Sequence, residues 1–378
     1  MELFPSIWVL VETYFVFLFG SLFVLVVANG IGVGLDRALV LYFWHSLFCL
    51  LYAFYVSAVG GDALMYYLTS LEDDLSFSVG TAFVRYLTSF FSSGLGLSFV
   101  SVFLVFNVFG SVGLLAFDAS LAYAVRYKSL IVRQVVSFVV FLPSISFWSS
   151  AIGKDSIVFM GVCLALWSAL DFRRRIITMA VAILFVFLVR PHIAGLMVVA
   201  LASSFVFSNK LSFATRLGLG GFGTIVSIAA VPFALQYVGF GEVSSLNGIL
   251  EYLDERQSYN QEGGGGVDIS QMPFWMQLFT YMFRPLPFEV HNIASLVASL
   301  ENVILLFLFI FSFLFFTKRH VVGDSENQFF LWVYALAAWV VLAITTANLG
   351  ISVRQKWMFL PVILFFLLSR LGRNRLQK

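Results

Sequence analysis

Apolar residues in this chain come in long unbroken runs, not in strand-like alternation. The runs fall at about 6–29, 38–59, 96–118, 131–150, 155–171, 176–190, 193–208, 217–237, 300–317, 328–347 and 355–370. A helix of about 20 apolar residues crosses a bilayer. Within lipid, a helix satisfies all of its own backbone hydrogen bonds. The pattern therefore predicts an all-α polytopic transmembrane bundle of about eleven spans, formed by residues 1–378 as a single integral membrane domain. Pro143 interrupts the fourth run. Only Pro191 and His192 separate the sixth run from the seventh, which predicts a tight hairpin or a partly re-entrant element.

One long polar stretch breaks the pattern, from about 240 to 292. It contains Glu242, Glu251, Asp254, Glu255, Arg256, Glu262 and Asp268, then the glycine run 263–266, and it closes on Arg284-Pro285-Leu286-Pro287-Phe288-Glu289-Val290-His291-Asn292. Loops well beyond a dozen residues are usually functional or disordered. The loop, taken as 238–291, is expected to have a mobile middle at the glycines and helical flanks at about 246–253 and 273–283. The flank 273–283 carries Phe274, Trp275, Phe279, Tyr281 and Phe283, an aromatic band suited to the headgroup region. The mixed stretch 81–93 reads as a second interfacial helix.

Composition agrees: 61% of residues are hydrophobic and only 11% charged, against roughly 25% charged in soluble domains. Cys49 and Cys163 lie inside apolar runs, without disulfide or metal spacing. The first apolar run lacks the basic start and small-residue cleavage site of a signal peptide and reads as a retained span. With eleven spans, 15 of the 22 Lys and Arg residues fall on one side. By the positive-inside rule that side is cytoplasmic. The N-terminus is then outward, the C-terminus cytoplasmic, and the long loop outward.

The remaining seven cations are Arg85, Lys154, Arg190, Arg256, Arg284, Arg354 and Lys356, all on the outer face. Five of these, Lys154, Arg190, Arg284, Arg354 and Lys356, sit at span boundaries or in the loop tail, and His192 follows Arg190 closely. Intramembrane ionisable groups are functional candidates, and arginine offers a planar fork for phosphate oxygens. Such a set suits a diphosphate; the alternative is snorkelling to headgroups or pairing with the loop's acids. Asp62 follows Gly60-Gly61 and precedes Tyr66-Tyr67. It reads as a general base on a sugar hydroxyl or as a helix N-cap. Glu289 and His291, close to Arg284, form the best local acid–base–cation cluster. His45 reads as a packed or hydrogen-bonded core residue. The chain has no Walker-type phosphate loop, no zinc spacing and no nucleophile elbow. Nothing points to nucleic acid, a metal or another cofactor.

Gly61-Asp62, Tyr66-Tyr67 and the restart at Gly80–Phe83 resemble the N-terminal part of the EpsG-like and Wzy-like bacterial polysaccharide polymerases. Leu142-Pro143-Ser144, Phe147-Trp148-Ser149-Ser150, Lys154-Asp155-Ser156 and Arg190-Pro191-His192 are similar too. The resemblance covers about the first two hundred residues by pattern and the rest by topology. The arginine–glycine motif of some polymerases is not met, because Val206 and Leu300 stand where glycine would follow Arg190 and Arg284. The resemblance implies a glycosyltransferase of the bacterial inner membrane that polymerises undecaprenyl-diphosphate-linked oligosaccharide repeats at the outer face. Its partners would be the lipid-linked substrate, the lipid bilayer and other polysaccharide-assembly proteins. On that reading Asp62, then Glu289 or His291, is the base, and Arg190, Arg284, Arg354 and Lys356 hold the diphosphate with His192 and Lys154 in support. A single-sugar transferase using a polyprenyl monophosphate sugar and a lipid-linked glycan flippase are the alternatives.

Overall fold

The computed structural model describes residues 2–72, 76–207, 212–221, 223–225, 265–314 and 328–371. Among them every regular element is helical, apart from one isolated antiparallel bridge between Gly266 and Asn348. Six helices are long and apolar enough to cross a membrane: Ile7–Ile31, Leu35–Val59, Phe99–Ala124, Leu130–Ser149, Ile293–Ser312 and Gln328–Thr345. A seventh arises if Leu349–Met358 and Leu360–Arg370, bent by 67°, count as one span. The eleven expected spans are thus not all membrane-length helices among the described residues. The helices at Ile176–Val189 and Pro191–Val206 have 14 and 16 residues. At about 1.5 Å rise per residue they reach roughly 21–24 Å, short of a hydrocarbon core of about 30 Å. The helix Lys154–Ala169 is equally short, at 16 residues. The run at 217–237 falls largely outside the described residues, as does the expected helix at 246–253.

The chain divides into two compact units, Met1–Ser168 with Arg173–Arg190, and Ala169–Phe172 with Pro191–Leu371. In the first unit, α1 (Ile7–Ile31), α2 (Leu35–Val59), α3 (Asp62–Thr69) and α4 (Thr81–Ser89) lead into α5 (Phe99–Ala124). There follow α6 (Leu130–Val140), α7 (Pro143–Ser149), α8 (Lys154–Ala169) and α9 (Ile176–Val189). Pro143 does break the fourth run. Helix α6 ends at Val140, and α7 restarts with proline in its first turn, where no N–H is needed. Helix α5 is the centre of this unit, packed against α1 and α2. Its buried residues run all round it, from Phe99 and Val100 to Leu121 and Ala124. Helix α1 buries one stripe only, Thr13, Gly20, Val24 and Ala28, and exposes Trp8, Phe15, Phe19 and Phe23. Small residues on the packed stripe and large apolar ones outside are what lipid-embedded helices need, since lipid supplies no hydrophobic drive for helices to associate.

A buried polar network joins three of these helices. His45 of α2 is fully buried, with Nδ1 2.5 Å from Asn107 Oδ1 and Nε2 3.0 Å from Ser149 Oγ. Asn107 Nδ2 donates to Ser46 Oγ at 2.8 Å. With the amide N–H turned to Ser46, the ring's Nδ1–H donates to the amide oxygen, and the Ser149 hydroxyl beside Nε2 donates to the Ile145 carbonyl. The histidine is therefore the hydrogen-bonded core residue expected from its place in an apolar run. Satisfied networks of this kind fix one packing arrangement, because a stranded polar group in a low-dielectric interior is costly. Gly110 of α5 lets α7 close on the network: a Cβ there would land on the Ser149 carbonyl oxygen and the His45 ring. Gly110→Ala is expected to lose about 1–3 kcal/mol in a melt of the detergent-solubilised protein. Gly30→Ala, with nothing within 4 Å of the new Cβ, should be neutral or better. Equal losses at both positions would defeat the close-approach argument.

The second unit contains α10 (Pro191–Val206), α11 (Phe274–Phe283), α12 (Ile293–Leu314), α13 (Gln328–Thr345), α14 (Leu349–Gln355) and α15 (Leu360–Arg370). Helix α13 packs against α10, α11 and α15, and α12 against α11 and α15. The helix at 274–283 forms as its sequence predicts. Trp339 Nε1 of α13 donates to the Leu278 carbonyl at 3.2 Å and ties α11 down. Gly265 and Val267 pair with Leu349 and Ala347, at 2.8 Å and 2.9 Å, so the end of the run is held in a short ladder. The approach is close: a Cβ on Gly265 would stand 3.0 Å from Asn348 Oδ1. Gly263 and Gly264 lie outside the described residues.

Candidate functional site

The last apolar run is broken where its cations sit. Helix α14 starts at Asn348, whose Oδ1 accepts the N–H groups of Gly350 and Ile351 as an N-cap. One 3₁₀ turn, Lys356–Met358, follows, and α15 begins with Pro361 in its first turn. Proline cannot continue a preceding helix but fits a first turn, so the sequence places the bend between Lys356 and Pro361. Arg354 lies in the last turn of α14 and is partly exposed. Lys356 is only 1% exposed.

Asn302, fully buried on α12, links this break to the tail of the long loop. Its Oδ1 accepts a hydrogen bond from the Lys356 ammonium, and its Nδ2 donates to the Pro285 carbonyl at 3.0 Å. The neighbouring Glu301, also buried, sets an opposing charge against Lys356. Pro285 follows Arg284 through a cis peptide bond. Asn302 thus joins Lys356 to the backbone of Pro285, the residue after Arg284.

Arg284 itself is paired. Its Nε donates to Glu289 Oε1 at 2.7 Å and its Nη2 to the same oxygen, while the Leu286 N–H donates to Oε2 at 2.7 Å. Partial burial pushes the Glu289 carboxyl up, but the Arg284 and Leu286 hydrogen bonds outweigh it and hold the group below its usual range. A carboxylate held in this way is a weak base. His291 is exposed, and its backbone N–H donates to Ser295 Oγ at 3.0 Å.

The first unit holds its own set. Arg190 ends α9, and its Nη2 is 3.2 Å from Asp155 Oδ1, with Lys154 one residue earlier. Asp62 is exposed at the first position of α3. The cap position belongs to Gly61, one of two successive glycines at positive φ, 85° and 136°. The N-cap alternative therefore does not hold; as an acid in the first turn, Asp62 complements the helix dipole. His192 lies in the first turn of α10 in the second unit and is partly exposed.

Asn302 and Glu301 were not among the residues expected from sequence. Their signal was present as a Glu-Asn pair at the start of an apolar run, where polar groups ask for a partner. Among the described residues no group of three or more metal-ligating side chains occurs. The described part of the chain defines an all-helical membrane protein whose polar chemistry gathers at helix ends and breaks. No protein-family model, no curated protein and no solved structure matches the chain.

Proposed function

We propose that the protein is a membrane glycosyltransferase that extends a polysaccharide from undecaprenyl-diphosphate-linked repeats at the outer face of the bacterial inner membrane. The observation that carries this reading is the hydrogen-bonded link from Lys356, at a helix break bent by 67°, through Asn302 to the Pro285 carbonyl next to Arg284. Membrane proteins keep such breaks where they face protein or a ligand site. Arg284 and Arg354, partly exposed, serve as diphosphate donors, and Lys356 supports them from within. Lys154, Arg190 and His192 keep the supporting role implied by the resemblance. In the reaction an acceptor hydroxyl forms a bond to the anomeric carbon. The bond from that carbon to the lipid diphosphate breaks, and the cations offset the charge gathering on the leaving group. The hydroxyl proton goes to a carboxylate or imidazole: within the second unit to Glu289 or His291, while Asp62, in the first unit, keeps the role of base as the resemblance implies it. The outward N-terminus, the cytoplasmic C-terminus and the full eleven-span topology belong to this proposal.

The helix break also favours a second reading. Transporters build substrate sites on discontinuous helices, and a lipid-linked glycan flippase would use the same cations. Purified protein in vesicles with lipid-linked repeats separates these readings. A ladder of product lengths is the expected result. A single added sugar would replace the polymerase by a monophosphate-sugar transferase, and translocation without new glycosidic bonds would replace it by a flippase.

A further inference from the structure

In the first unit, α8 and α9 approach closely at Gly161. A Cβ there would land on Val186 Cγ2 and within 2.9 Å of the Ala182 carbonyl oxygen of α9. The start of α8 and the end of α9 share one end of this hairpin. Asp155 meets Arg190 across it, Oδ1 to Nη2 at 3.2 Å. The end of α9 is held from a second side, because the Gly80 N–H donates to the Leu188 carbonyl at 2.7 Å. Arg190 and Asp155 keep a narrow opening, with side chains 12% and 18% exposed. Asp155 engages Nη2, but the buried Arg190 Nε–H has no hydrogen-bond partner among the described residues. Buried donors are rarely left unmatched, and this one belongs to a permanent cation. Lys154, Asp155 and Arg190 sum to one positive charge, so the donor suits an anion. Helix α3 reaches the same place. A Cβ on Gly153 would stand 3.8 Å from Tyr66 Cε2, and Asp62 lies one turn before Tyr66 on the same face of α3.

Resting on the lipid-diphosphate reading above, we propose that Asp155 is a positioning residue: it holds the Arg190 guanidinium so that its Nε–H meets a phosphate of the lipid-linked substrate. An arginine side chain has many rotamers, and ordering them on binding weakens a complex. A carboxylate on Nη2 orders the fork beforehand. It also cancels one positive charge, so its two effects on an anion have opposite signs. Orientation strengthens the contact, and charge weakens it. Orientation rules here, because without Asp155 an arginine at a helix end is released to snorkel toward headgroups, which carries Nε away from the ligand. Asparagine separates the two effects, since its amide oxygen accepts from Nη2 without the charge.

The test titrates a polyprenyl diphosphate sugar into the purified protein in phosphatidylcholine nanodiscs. Affinity is read by native mass spectrometry and stability by thermal melts. Arg190→Ala should weaken binding about tenfold or more, the loss of one charge-assisted donor. Asp155→Ala should weaken it about threefold to tenfold, although the site becomes more positive. Asp155→Asn should bind at least as well as wild type. Asp155→Ser, too short to reach Nη2, replaces the alanine variant if that protein does not fold. The exchange of Asp155→Arg with Arg190→Asp should recover the melting temperature lost in the single variants but not the affinity, since the guanidinium then hangs from the other helix. Four results would overturn the inference and leave the pair as a brace between α8 and α9: tighter binding in Asp155→Ala, no change there, no change in Arg190→Ala, or affinity regained by the exchanged pair. Equal competition by phosphatidylglycerol would overturn it too, making Arg190 a headgroup anchor. Failure of wild type to bind the probe would instead bring down the lipid-diphosphate reading, and the inference with it.

Discussion

Arg284→Ala should reduce chain extension on lipid-linked repeats by about a hundredfold or more, with the protein still inserted and expressed. Removing one fixed donor aimed at developing charge costs on that order. Arg284→Lys should recover little of the loss, because an ammonium cannot reproduce the two-donor edge that now engages Glu289. Arg354→Ala serves as the comparison, since it removes a cation from the last turn of α14 without disturbing the Glu289 pair. The measurement is initial rate against repeat concentration for purified protein at matched amounts. An Arg284→Ala rate within a few-fold of wild type would remove Arg284 from the proposed diphosphate site.

The second large effect concerns stability. Asn302→Leu is expected to destabilise by about 3–5 kcal/mol, the cost of depriving a buried charge of its partner. The Lys356 ammonium would lose its hydrogen-bond acceptor, and the Pro285 carbonyl would lose its donor. Asn302→Asp restores an acceptor for Lys356 but has no N–H for Pro285, so its loss should fall to about 1–3 kcal/mol, that of one buried unsatisfied group. Thermal melts of the detergent-solubilised variants would read the difference. Equal losses for Leu and Asp would mean that the Lys356 contact contributes nothing, and a loss near zero for Leu would mean that the linkage is incidental.

These expectations separate the two kinds of role within one cluster. Arg284 and Arg354 retain some exposure, and Lys356 has almost none. A lysine so enclosed, with Asn302 and Glu301 beside it, acts through the turn it fixes. The sequence placed all three cations together as ligands, because their position against the charge trend is the same. Burial is what divides them.

The sequence by itself determined much of the architecture. Unbroken apolar runs fixed helices at Ile7–Ile31, Leu35–Val59, Phe99–Ala124 and Gln328–Thr345, because nothing but regular backbone hydrogen bonding satisfies such segments in lipid. Pro143 and Pro191 marked breaks between runs, since a missing N–H is a local property that needs no tertiary context, whereas the restart at Pro361 lay inside the run expected at 355–370. The aromatic helix before Arg284 was legible for the same local reason. What only the tertiary structure decided were the partnerships. Asn302 meets Pro285 and Lys356 across 17 and 54 residues, and His45 meets Asn107 and Ser149 across 62 and 104. Glycines at 110 and 265 are needed because a distant backbone or side chain presses against them. Apolar periodicity says which stretches enter a membrane, but lipid is as apolar as the side chains it meets. Which faces turn inward is therefore set by small residues and polar contacts between helices, and those contacts become visible only once the helices are packed.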